Sequence, residues 1–205
     1  MFTLYYSPGA CSLASHIMLR ENNIQFNLKK VNLKTHKTED DRDFFALSQN
    51  KGYVPVLVFE NGDTLTEGCA ILFFITEQNP SNNYATGKSD LRRYRLQEAL
   101  TFVSSELHKT LGSYFSVGLP DAYKDILRAK LSKTFNWLDK KLCEQPYLSG
   151  QDFTAADAYA FTVLRWLPHL NTGLSLTDWP NVQLYIDKIL QRPSVIEAMQ
   201  VEGVS

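Results

Sequence analysis

The chain has almost no surplus of charge: 21 basic and 22 acidic side chains in 205 residues leave a formal net charge of −1. A protein that grips nucleic acid or an anionic membrane face needs a basic excess, so neither partner is expected. Long hydrophobic runs are missing as well. The longest, Ala70–Ile75, falls far short of the roughly 20 residues of a membrane-spanning helix. The N-terminus reads as a strand, with no basic stretch followed by an apolar core, which argues against a leader peptide. Cysteine is scarce and odd in number: Cys11, Cys69 and Cys143 lie far apart and form no CxxC pair. That spacing does not describe a disulfide framework, and it fits a reducing cytoplasm. The four histidines, His16, His36, His108 and His169, show no ligand spacing with cysteine or carboxylate, so no metal site is expected.

What is present is an ordinary globular composition, 44% hydrophobic and 21% charged, in a chain long enough for one large or two small domains. The first eighty residues alternate in type. Phe2–Tyr6 reads as a strand, Ser12–Glu21 as a helix, Phe26–Leu33 as a second strand, and Glu39–Leu47 as a charged helical or irregular segment. Val54–Phe59 is β-branched and ends at Asn61-Gly62, a strong hairpin signal; Thr64–Thr66 returns, and Glu67–Gln78 is a helix. The order β-α-β-α-β-β-α predicts a thioredoxin-like α/β domain over residues 1–80. Residues 81–89, rich in Asn, Ser and Gly, read as a linker.

Residues 90–205 show no strand pattern and predict an all-helical domain. One long helix is expected over Asp90–Phe115, with Leu96, Leu100, Val103, Leu107 and Leu111 on its apolar face. A second runs from Pro120 to about Cys143. Thr154-Ala155-Ala156-Asp157 has the capping-box form and opens a third, over residues 155–170; two shorter helices flank Pro193.

Four features carry chemistry. Cys11 follows the Ser7-Pro8-Gly9-Ala10 loop at the start of the first helix, where unpaired N–H groups and the helix dipole favour a thiolate. Local sequence leaves open both a packed, inert thiol and a reactive one. Val54-Pro55 enters the third strand; a cis X-Pro there would leave the Val54 backbone able to pair with an extended peptide. Thr66-Glu67-Gly68 meets the next helix, where the N–H groups of Gly68 and Cys69 could hold a carboxylate and Glu67 an ammonium. Thr101, Ser105 and His108 fall at i, i+4 and i+7 on the long helix, a polar stripe that is either a solvated face or a cleft wall.

Together, YYSPGACSLASHIMLRE, GYVPVL, TLTEG, SSELHK and FTAADAYAFTVLRW resemble a bacterial beta-class glutathione transferase over essentially the whole chain. The resemblance implies a thioredoxin-like glutathione-binding domain, a helical domain and a homodimer. It also implies residue roles. Cys11 faces the glutathione sulfur and can form a mixed disulfide with it, Val54 pairs with the tripeptide backbone, and Glu67-Gly68 hold the γ-glutamyl group. Ser105, His108 and Lys109 reach toward the sulfur and glycyl end. His36 stands where the family carries a ligand-contacting lysine, and Thr101 where it carries an asparagine. An imidazole in place of the ammonium would weaken an exposed ion pair by about 1 kcal/mol. These changes bear on affinity rather than on reaction type.

The expected reaction is conjugation of the glutathione thiolate to hydrophobic electrophiles, with Cys11, Ser12 and His108 as the groups that stabilise the thiolate. The electrophile is expected between the Pro8-Gly9 loop and Tyr114/Phe115. A second reading is a glutathione-dependent thiol–disulfide oxidoreductase or peroxidase that works through a Cys11–glutathione mixed disulfide. A third is a ligand-binding or scaffold protein of the same fold without turnover.

Overall fold

The computed structural model describes residues 1–79 and 90–204, so the expected linker at 81–89 lies outside the described residues. Two compact units emerge: Met1–Arg93 together with Pro193–Ser205, and Tyr94–Arg192.

The first unit is built on a five-stranded sheet of order β3-β2-β1-β4-β5. Its strands are β1 (Phe2–Tyr6), β2 (Phe26–Asn32), β3 (Lys37–Thr38), β4 (Val56–Val58) and β5 (Thr64–Leu65). β1 runs parallel to β2 and antiparallel to β4, and β4–β5 is the hairpin that Asn61-Gly62 announced, with Gly62 at φ 87°. The edge strand β3 adds to the expected order. It is only two residues long and antiparallel to β2, too short to leave an alternating pattern in the sequence. Helices α1 (Ser12–Glu21) and α3 (Gly68–Glu77) supply Leu13, Ile17, Leu19, Ile71, Leu72 and Ile75 to a core shared with Leu4 and Leu57, all at most 1% exposed. On the other face, Phe44 of the short helix α2 (Phe44–Leu47) packs with Tyr5, Val31, Val54 and Val56. Period-2 alternation along β1 and β4 creates these two cores. The C-terminal helix α9 (Pro193–Glu202) packs on α1 and so belongs with the sheet unit, although its sequence position groups it with the helices of the second.

The second unit is helical. The expected long helix divides into α4 (Leu91–Phe102), a π-helical turn (Val103–His108) and α5 (Lys109–Ser113). α6 (Asp121–Glu144) matches its expected span. α7 spans Ala155–Leu164, all ten residues buried, and stops short of residue 170 because Pro168 cannot continue an α-helix and sits in a separate 3₁₀ turn, Leu167–His169. α8 (Pro180–Leu190) packs on α6 and α7. A helix apolar on every side must be central, and α7 is enclosed accordingly. Among the described residues no helix is long and apolar enough to cross a membrane.

Candidate functional site

In the sheet unit, the loop Ser7–Ala10 closes with Ala10 N–H donating to Ser7 O, and Cys11 stands at the N-terminus of α1. Its thiol donates to the carbonyl of Val54 at 3.1 Å, and Val54-Pro55 is cis. By surface area Cys11 is half-buried, but the thiol itself is enclosed by protein, and the enclosure governs its acid–base behaviour. Burial pushes the thiol up to about 12, against the backbone N–H groups of Cys11 and Ser12, which pull it down. This corrects the expectation of an easily formed thiolate. The helix terminus acts as anticipated, but desolvation outweighs it. Cys11 is therefore an S–H donor at neutral pH.

Ser12 is fully buried, and its hydroxyl both accepts from Ser7 N–H (3.2 Å) and donates to Ser7 O (3.3 Å). It closes the loop that presents Cys11. A second tether was not legible in the sequence. Gly9 N–H donates to Glu202 Oε2 of α9 at 2.9 Å, and Glu202 Oε1 meets His16 Nδ1 at 2.9 Å, both side chains wholly buried. Arg20 Nε donates to His16 Nε2 at 2.9 Å, and Arg20 also pairs with Glu197. Because Nε2 accepts, Nδ1 carries the proton and donates to Glu202. Gly9 needs its left-handed φ of 69° to make this turn, with Val204 packed beside it.

At the start of α3, Glu67 has φ 69°, a left-handed conformation that costs a non-glycine residue about 1–3 kcal/mol and that clusters at ligand sites. Its Oε1 accepts from Lys51 Nζ at 2.7 Å, and Lys51 also donates to Thr66 Oγ1 at 3.1 Å. Gly68 lies against the Pro55 ring, which places Cys11, Val54, Glu67 and Gly68 around one corner of the sheet unit. Lys51 is the residue that sequence reasoning passed over; its signal was its place three residues ahead of Val54. His36 stacks on Phe45, centroids 4.4 Å apart, with its Nδ1 buried and without a hydrogen-bond partner. A side chain at Gly52 would collide with both, 2.7 Å from Phe45 and 2.8 Å from His36 Nδ1, so only glycine leaves room for that stack. His36 is thus a stacked aromatic side chain at the position where the family carries a lysine.

The helical unit carries the other expected residues. Thr101 is exposed, with its hydroxyl on the Gln97 carbonyl (2.8 Å). Ser105 lies exposed within the π-helical turn, and Lys109 is exposed just beyond it. The wide turn changes the phase of the helix: His108 faces inward, while Thr101 and Ser105 face out, so the three do not form one uniform stripe. His108 Nδ1 hydrogen-bonds the Tyr159 hydroxyl, and its ring packs edge-on against Trp166. Burial lowers it to about 4, so it is a neutral hydrogen-bonding group at pH 7, not a cation. Phe115, 59% exposed, continues the aromatic cluster against Trp166, whereas the Tyr114 hydroxyl is held by the Lys124 carbonyl. Asp157, expected as a cap, is wholly buried and accepts four hydrogen bonds, from Leu148 N–H, Thr154 N–H, the Thr154 hydroxyl and the Tyr185 hydroxyl. Among the described residues no three His, Cys, Asp or Glu side chains group as metal ligands would.

A thioredoxin-like sheet followed by a helical unit, with a cysteine beside a cis-proline turn, defines a class. Residues 9–78 match the family model for the N-terminal domain of glutathione S-transferases, and residues 98–193 match that for the C-terminal domain. The chain belongs to the glutathione S-transferase family and is a glutathione transferase. Within that family it is closely related to the bacterial beta class. It is 37% identical to glutathione S-transferase GstA of Escherichia coli O157:H7, over 98% of both chains. It superposes on a beta-class enzyme of Sphingomonas chungbukensis with a TM-score of 0.92 at 39% identity, covering 99% of this chain and 100% of that one. A sphingomonad glutathione S-transferase solved in complex with glutathione gives a TM-score of 0.92 at 38% identity, with the same coverage.

Proposed function

We propose that this enzyme conjugates glutathione to hydrophobic electrophiles, with Cys11 serving as a hydrogen-bond donor to the glutathione sulfur. One observation carries the reading: the Cys11 thiol, enclosed by protein and pushed up to about 12 by burial, directs its hydrogen at an acceptor, the Val54 carbonyl, at 3.1 Å. A protonated thiol can stabilise a neighbouring thiolate as a hydroxyl would. To form a mixed disulfide it must first lose that proton, which its burial opposes. The tripeptide lies extended along Val54, with its γ-glutamyl end at Glu67-Gly68 and its glycyl end toward His36. The beta-class resemblance assigns Thr101, Ser105, His108 and Lys109 to glutathione binding as well, with His108 a neutral hydrogen-bonding group. The electrophile packs on Phe115 and Trp166, flat faces suited to aromatic substrates. The enzyme works as a homodimer in the cytoplasm, a reading supported by the beta-class resemblance and by three cysteines of which none is in a disulfide.

Aryl-halide conjugation and glutathione-dependent disulfide reduction, measured on wild type, Cys11→Ser and Cys11→Ala, test the reading. Serine should retain most conjugation. Alanine should lose about 10- to 100-fold, the equivalent of one hydrogen bond to a charged acceptor at ~1.5–3 kcal/mol. Conjugation abolished equally by serine and alanine would replace this mechanism with a covalent one. Sedimentation of the purified protein checks the dimer.

A further inference from the structure

A hydrogen bond to one nitrogen of an imidazole settles which nitrogen carries the proton, and so what the ring can do at the other. His108 closes the π-helical turn Val103–His108 and packs on α7, where the Tyr159 hydroxyl meets its Nδ1. Tyr159 lies in the middle of the wholly buried helix Ala155–Leu164 and is only 4% exposed, so its hydroxyl has a fixed seat. The imidazole is held as firmly. Its ring stands edge-on to Tyr159, centroids 5.5 Å apart, and to Trp166 at 5.0 Å. Turning the ring over would exchange Nδ1 for Cδ2 and break the bond to Tyr159. Nε2 has no hydrogen-bond partner among the described residues and is not buried. The direction of the bond follows from acidity. A phenol hydroxyl, which ionises at about 10 in water, is a stronger donor than the N–H of neutral imidazole, and an imidazole lone pair is a better acceptor than a phenol oxygen. Burial keeps His108 neutral at pH 7, so the ring has a single proton to place. With Nδ1 accepting, that proton sits on Nε2.

We propose that Tyr159 is a positioning residue for the transferase reaction: by donating to Nδ1 it fixes His108 as the Nε2–H tautomer and makes the unpartnered edge of the ring a hydrogen-bond donor for the glutathione thiolate. The inference rests on the reading that His108 stabilises that thiolate. Without the Tyr159 hydroxyl the ring can place its proton on either nitrogen. The Nδ1–H form offers the thiolate a lone pair at Nε2, which repels it.

Nitrogen NMR of histidine-labelled protein reads the tautomer directly, with His108→Ala identifying the His108 signals. In wild type at pH 7, Nδ1 should resonate as an unprotonated ring nitrogen and Nε2 as a protonated one. Tyr159→Phe, which keeps the packing and removes the hydroxyl, should introduce the Nδ1–H form. Kinetics gives the second readout. Tyr159→Phe should lower kcat about fivefold, the loss expected of one neutral hydrogen bond, with KM for glutathione within about twofold of wild type. In the His108→Ala background the same substitution should change kcat by less than about twofold, since Tyr159 acts through the ring. A protonated Nδ1 in wild type, alone or in a mixture, would overturn the proposal. So would a Tyr159→Phe enzyme with the tautomer and kcat of wild type, or an undiminished loss from Tyr159→Phe once His108 is already gone. If His108→Ala itself keeps the kcat of wild type, the reading of His108 beneath the proposal falls instead, and the spectra still decide the tautomer.

Discussion

Replacing Asp157 by alanine should destabilise the protein by about 3–5 kcal/mol, several times what a helix cap supplies. From sequence, the residue is the acid of a capping box, whose loss typically costs ~1 kcal/mol. The structure changes the sum. The carboxylate is wholly buried and accepts from Leu148 N–H and Thr154 N–H, both at 2.8 Å, from the Thr154 hydroxyl at 2.7 Å and from the Tyr185 hydroxyl at 2.9 Å. The two hydroxyls can turn to other acceptors, but the two backbone N–H groups are fixed. Each stranded donor costs about 1–3 kcal/mol, and the cavity adds to that. Burial pushes the Asp157 carboxyl above the usual carboxylate range, and its four donors offset that rise only in part. Urea unfolding at fixed protein concentration measures the effect, with Tyr185→Phe as a control that removes one donor, at about 1 kcal/mol. A loss near 1 kcal/mol for Asp157→Ala would mean that the cap is the whole contribution and that the burial argument is wrong.

Glu202→Gln should lower stability by about 1–3 kcal/mol and reduce conjugation: its amide can accept from His16 or from Gly9, but its NH₂ then faces the other donor. Unfolding midpoints and kcat/KM together check this, and a variant indistinguishable from wild type would remove Glu202 as the anchor of the Cys11 loop. With the Cys11 thiol at about 12, iodoacetamide at pH 8 should label exposed Cys143 well before Cys11, whose rate should climb about tenfold per pH unit. Labelling of Cys11 as fast as Cys143 at pH 7 would restore the thiolate expectation. His108 binds its proton more weakly when folded, about 4 against an ordinary 6.5, so its contribution is present above pH 6.5 and is lost as the pH falls through 4. Between those values wild type should lose on the order of 3 kcal/mol that His108→Gln does not, as read from unfolding curves at pH 7 and pH 4; parallel losses in both proteins would contradict a buried neutral imidazole.

Local patterns made much of this molecule legible. The alternation of β1, the Asn61-Gly62 hairpin, the helix starting after Cys11 and the capping box at Thr154 all rest on interactions between residues close in sequence, where period and turn chemistry act directly. The Ser7–Ser12 closure belongs to the same class, although its partners needed the structure to be named. The edge strand β3 escaped because two residues carry no period, and the π-helical turn escaped because Val103–His108 has an ordinary helical composition. Of the two partners of His16, Arg20 stands one helical turn on and was overlooked, whereas the Glu202 carboxylate comes from 186 residues away. Lys51 was passed over for the same reason: its importance lies in Glu67, sixteen residues on.

Sequence alone therefore determined the class of fold and the family, because those depend on patterning and on motifs read in order, while Glu202 beneath the Cys11 loop and Lys51 beside Glu67 lay beyond it. Tertiary structure decided their states. Whether Cys11 is a thiolate or an S–H donor depends on desolvation against helix N–H groups, and desolvation is a property of enclosure by residues distant in the chain. Within the helical unit, burial makes His108 neutral and encloses the Asp157 cap as a four-fold acceptor. Burial sets the electrostatic energy of a charged group, and no stretch of sequence contains its own burial.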